Sequence, residues 1–95
     1  MALTLHWTPA ATSHLRSTHE YVAQDSARAA QALIDRIFSV TERRDFPRMG
    51  GEGRVEDTRE LVIAGTPFVV VYRLCRNRVD VLAVFHAARK WPEAF

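Results

Sequence analysis

The hydrophobic positions of this chain change period twice. In residues 3–7, "LTLHW", Leu3, Leu5 and Trp7 alternate with Thr4 and His6, which predicts a half-buried strand. From Pro9 the spacing becomes helical, with Ala11, Leu15, Thr18, His19 and Val22 on one stripe. Thr8 offers a capping hydroxyl and Pro9 suits the first helical position, so a helix is predicted from Pro9 to Ala23. "QDSA" interrupts it, and Asp25 or Ser26 can cap the next helix. There Ala30, Leu33, Ile34, Ile37, Phe38 and Val40 form a stripe that leaves Arg28, Gln31, Asp35, Arg36 and Glu42 outside. Two helices joined by so short a link form a helical hairpin.

Residues 44–54, "RDFPRMGGEGR", hold one proline and three glycines and read as a loop. Three strands are then predicted at 55–63, 68–74 and 79–87, with turns at Ala64-Gly65 and at "CRNR", residues 75–78. Such tight links make neighbouring strands antiparallel. The order strand-helix-helix-strand-strand-strand describes one α+β domain over residues 1–95, an antiparallel sheet packed against a helical hairpin. Leu33, Ile37 and Phe38 are expected to face the sheet, with Val70, Tyr72, Val81 and Ala83 on its covered side. The other sheet face is expected to stay open for a partner.

Alternation sorts the polar strand residues by face. Arg59 goes with Leu61 and Ile63, Arg73 with Val69 and Val71, and His86 with Asp80, Leu82 and Val84. Arg73 then stands near Val79 or Asp80, where a salt bridge to Asp80 across the hairpin is the simplest structural role. His86 lies toward the other end, opposite Val69 or Pro67.

Composition narrows the function. A 95-residue chain supports one small core, and a hydrophobic fraction of 47% is that of a globular domain. No apolar run approaches the roughly 20 residues of a membrane span, and the first ten residues lack the pattern of a signal peptide. Cys75 is the single cysteine, which excludes an internal disulfide and fits a cytoplasmic protein. Residues 1–42 carry three arginines against four carboxylates, whereas residues 43–95 carry ten cations against seven. That second, basic half suits an anionic partner.

The candidate chemistry clusters in "HAARKWP", residues 86–92. His86 can move protons near neutral pH, Arg89 can clamp a phosphate, and Trp91 can stack on a base or plug the sheet. His14 and His19 are spaced i to i+5 and do not share a helical face. With one Cys, no paired-cysteine motif and no HExxH, neither a metal nor a cofactor is indicated.

Five segments in this order carry a resemblance: W-T-P-A-A at 7–11, F-P-R-M-G at 46–50, G-R-V-E-D-T-R-E-L-V at 53–62, G-T-P-F-V-V-V-Y-R at 65–73 and H-A-A-R-K-W-P at 86–92. Together they resemble the RelE/ParE superfamily, the toxin subunits of bacterial type II toxin–antitoxin modules, over essentially the whole chain. The resemblance implies a compact sheet under a helical hairpin, a cognate antitoxin, and a basic working surface on the strand ends and tail. It implies one of two targets. RelE-like members cut mRNA in the ribosomal A site, and ParE-like members poison DNA gyrase. Many RelE-like nucleases place a phosphate-stabilising arginine where this chain has Val69. Some also carry paired lysines in the strand matching 55–63, where Arg59 is the available cation. The lean is therefore to the gyrase branch, with the nuclease as the alternative and an inactive or purely binding domain as a third. For a nuclease, His86 would be the acid/base, and Arg59, Arg73 and Arg89 the clamps. On either branch Arg54, Arg59, Arg73, Arg89, Lys90 and Trp91 are the residues expected to meet target or antitoxin.

Overall fold

A computed structural model describes residues 4–88. In chain order the elements are β1 (Thr4–Trp7), α1 (Pro9–Ala23), α2 (Ala27–Thr41), α3 (Phe46–Met49), β2 (Gly51–Glu52), β3 (Arg59–Val62), β4 (Phe68–Leu74) and β5 (Arg78–His86). They form one five-stranded sheet in the order β1-β5-β4-β3-β2. The pairings among β2, β3, β4 and β5 are antiparallel, as the hairpin links require, and β1 adds a parallel pair on β5. A strand that leads into a helical hairpin before returning can pair in this sense.

The helix ends follow from local chemistry. The Thr8 hydroxyl accepts the Ala11 amide at 3.2 Å, and Ser26 accepts that of Ala29 at 3.1 Å. Ala11, Thr18, Ala30, Leu33 and Ile37 are buried along the helical hairpin. The first core gathers Ala11, Leu33 and Ile37 with Phe68, Val70, Tyr72, Val79, Val81 and Val84 of the sheet. Phe38 is only half-buried and meets Trp7 edge-on at 5.4 Å, so it closes the rim of the core rather than its centre. Its truncation should cost less than the ~3–5 kcal/mol of a fully buried phenylalanine.

Three expectations need correction. The 44–54 stretch is not bare loop, since it holds α3 and the edge strand β2. Phe46 anchors it at 1% exposure, its ring 4.4 Å from that of Tyr72. The strand predicted from residue 55 begins only at Arg59. Residues 55–58 turn instead, with the Thr58 amide on the Val55 carbonyl and Asp57 at φ 64°, a left-handed conformation that aspartate tolerates better than most residues. The face assignment of β5 is the third.

Val71 pairs with Ala83, but the next residue, Tyr72, pairs with Val81. Leu82 is thus an extra residue, a β-bulge that inverts the alternation beyond it. Leu82 and Ala83 both join Val69, Val71 and Phe85 in a second apolar cluster on the opposite sheet face. Ala83 is therefore not on the helix-covered side. Nor is that second face an open apolar surface, because none of its five residues exceeds 8% exposure.

The sheet holds α3 through Tyr72. Its buried hydroxyl donates to the Pro47 carbonyl at 3.0 Å and accepts the Gly50 amide at 2.9 Å. A Cβ on Gly50 would collide with that hydroxyl. Tyr72→Phe would leave these groups without their partner and should lower stability by ~1–3 kcal/mol, read as a lower urea midpoint at unchanged slope.

Candidate functional site

The residues proposed for chemistry sit in two separate places. His86 ends β5 opposite Phe68, its ring edge-on to the phenyl at 5.2 Å. The bulge puts it on the helix-covered face, away from Asp80 and Leu82, with which simple alternation grouped it. Its Nδ1 accepts the Ala88 amide at 3.0 Å, so the neutral ring carries its proton on Nε2. With His14, Thr18 and Tyr21 of α1 it lines a groove of about 150 Å³.

Arg73 lies toward the other end of β4, five residues from Phe68, or roughly 16 Å along the strand. It is in register with Asp80, but the expected salt bridge to it is replaced. Asp80 pairs with Arg78 at 2.7 Å and accepts the Cys75 thiol at 3.4 Å. Burial pushes the Asp80 carboxyl up, yet the hydrogen bonds from Arg78 and Cys75 hold it below the usual carboxylate range. Arg59, in register with Tyr72, turns its guanidinium to the carbonyls of Pro47 at 3.2 Å and Gly50 at 3.4 Å. Arg59 and Arg73 share an open cleft of about 760 Å³ with Glu52, Asp57 and Leu74. Two carboxylates thus face two cations there.

Arg54 crosses the second sheet face. Its amide donates to Glu60 at 2.8 Å, and its guanidinium lies 5.3 Å from the centroid of the Phe85 ring. That cation–π contact lies over one ring of the second apolar cluster while keeping a charge on the surface. Arg89, Lys90 and Trp91 lie outside the described residues. Among the described residues no group of three or more His, Cys, Asp or Glu could hold a metal, and no helix is long and apolar enough to cross a membrane.

Sequence reasoning missed His14. Its Nδ1 accepts the Val84 amide at 3.3 Å, just past the bulge, and burial lowers its pKa. The usable signal was its i+3 and i−4 spacing from the buried Ala11 and Thr18, which puts it on the covered face of α1.

The sheet, the helical hairpin and the Arg59–Arg73 cleft can be set beside known proteins. Residues 5–91 match the family described as "ParE toxin of type II toxin-antitoxin system, parDE". The chain belongs to this ParE toxin family. It is 34% identical over 90 residues to "Putative toxin Y4kP" of Sinorhizobium fredii (strain NBRC 101917 / NGR234), covering 94% of this chain and 93% of that protein. A solved chain from "Chromosomal ParDE TA system from P. aeruginosa" has the same fold, with a TM-score of 0.74 at 20% identity over 88% of this chain and 95% of that one. Membership of a toxin–antitoxin family implies an antitoxin as partner.

The two cleft arginines should separate by mutation. Arg59→Ala removes charged donors from the α3 carbonyls and should cost about 1.5–3 kcal/mol. Arg73→Ala should cost about half a kcal/mol or less. Parallel urea titrations of the two variants check the difference.

Proposed function

We propose that this ParE-family toxin arrests growth by inhibiting DNA gyrase and does not cut mRNA. One observation carries this reading: His86 and the cations Arg59 and Arg73 lie in separate clefts, at opposite ends of the β4–β5 ladder. A general acid/base must come within hydrogen-bond reach of the group it serves, directly or through one water. A separation of roughly 16 Å between His86 and Arg73 along β4 does not offer that to one phosphate. Val69, where many RelE-like nucleases place an arginine, is buried in the second apolar cluster. Nη1 of Arg59 is engaged by the Pro47 and Gly50 carbonyls.

The antitoxin engages the cleft of Arg59 and Arg73, where the exposed Leu74 adds an apolar contact to the two cations. Acidic and apolar side chains on an antitoxin segment that folds on binding would match it. Arg89, Lys90 and Trp91 extend the basic surface in sequence and belong to the same proposal.

Purified toxin should inhibit supercoiling by gyrase and trap cleaved DNA, while mRNA from arrested cells stays intact. His86→Gln should leave this inhibition within a few-fold of the parent, whereas loss of a positioned acid/base would cost about 10²–10⁴ in rate. Charge reversal at Arg89 or Lys90 should weaken it further than His86→Gln does. Codon-specific, ribosome-dependent mRNA cleavage soon after induction, abolished by His86→Gln, would overturn the gyrase reading in favour of the nuclease.

A further inference from the structure

Two backbone amides at the end of β5 are held by imidazoles. The Val84 amide donates to Nδ1 of His14 at 3.3 Å, and the Ala88 amide donates to Nδ1 of His86 at 3.0 Å. Both acceptors exist only in the neutral ring, because a protonated Nδ1 is a donor facing a donor. The two rings line one groove, and the strand they hold leads directly into Arg89 and Lys90.

We propose that His14 and His86 form a pH-sensitive clamp on the exit of β5, closed when both rings are neutral and released by mild acid. His14 fastens the strand to α1 just past the bulge. His86 closes the turn through Ala88 at the end of the strand.

Burial favours the neutral form of His14. Among the described residues that line the groove, the titratable groups around His14 are Tyr21 on α1 and His86 on β5, while β4 contributes Phe68, which carries none. Around His86 they are His14 and Tyr21, both from α1. Among the described residues no carboxylate lines this groove. Burial already lowers the His14 pKa. Its contribution to stability is therefore fully present above the unfolded histidine value of ~6.5 and is lost as pH falls through the lower folded value. The clamp does not depend on which target the toxin has.

Amide exchange measured by NMR between pH 8 and pH 5, corrected for the intrinsic pH dependence of exchange, tests this directly. Protection of Val84 and Ala88 should fall by about tenfold as the rings charge, the equivalent of one lost hydrogen bond. Asparagine places a non-titrating oxygen near the position of Nδ1. His14→Asn should therefore make Val84 protection independent of pH while Ala88 still responds, and His86→Asn should do the reverse. Ring nitrogen shifts of the unmodified protein supply a measurement that no folding defect can obscure. Both neutral rings should carry the proton on Nε2. Corrected protection of both amides that stays constant from pH 8 to pH 5, or a neutral ring at either position protonated on Nδ1, would overturn the clamp.

Discussion

The arrangement depends on one extra residue in β5 and on the helix that makes it tolerable. A bulge disrupts a ladder and leaves backbone groups to be satisfied from outside it. Here Thr8, the N-cap of α1, and His14 within it supply partners on either side of Leu82. The Val81 carbonyl accepts the Thr8 amide at 3.1 Å and the Thr8 hydroxyl at 2.8 Å. The Val84 amide finds His14. Thr8 also caps α1, so one side chain starts the helix and fixes it to β5. Each of these groups would cost about 1–3 kcal/mol if buried without a partner.

The bulge decides which residues share a face. Before it, Val79 and Val81 point to the helices; after it, Val84 and His86 do. Leu82, Ala83 and Phe85 turn to the second face, where Arg54 lies over Phe85. The histidine goes to the groove beside α1, while Arg59 and Arg73 remain around the cleft near β2. In a fold shared with ParE-family toxins, that distribution suits a binding surface better than a phosphoryl-transfer site, which requires the cation and the acid/base around one phosphate.

Much of this was legible in the sequence because it is encoded locally. Thr8-Pro9 and Ser26 are short-range signals, and both helices begin where those residues place them. The apolar run at 68–74 became β4 at those bounds. Long-range effects were not legible. Nothing in "VDVLAVFHA" marks Leu82 as surplus, since the bulge is stabilised by residues 8 and 14, more than sixty positions away. Phe46 reads as a loop aromatic until Tyr72, 26 residues later, supplies its stacking partner. The 55–58 segment reads as strand, but the Thr58 amide and hydroxyl both donate to the Val55 carbonyl and close it into a turn around Asp57. The candidate site suffered most, because one inserted residue turned His86 away from the face to which alternation assigned it.

The inverted face of β5 can be measured directly by proton–proton nuclear Overhauser effects from the His86 ring in the isolated toxin. The account predicts cross-peaks to the Phe68 ring and to side chains of α1 in the same groove, and none to the methyls of Val71. Strong cross-peaks from His86 to Val69 and Val71, without any to Phe68, would place the histidine on the second face. They would contradict both the bulge and the separation built on it.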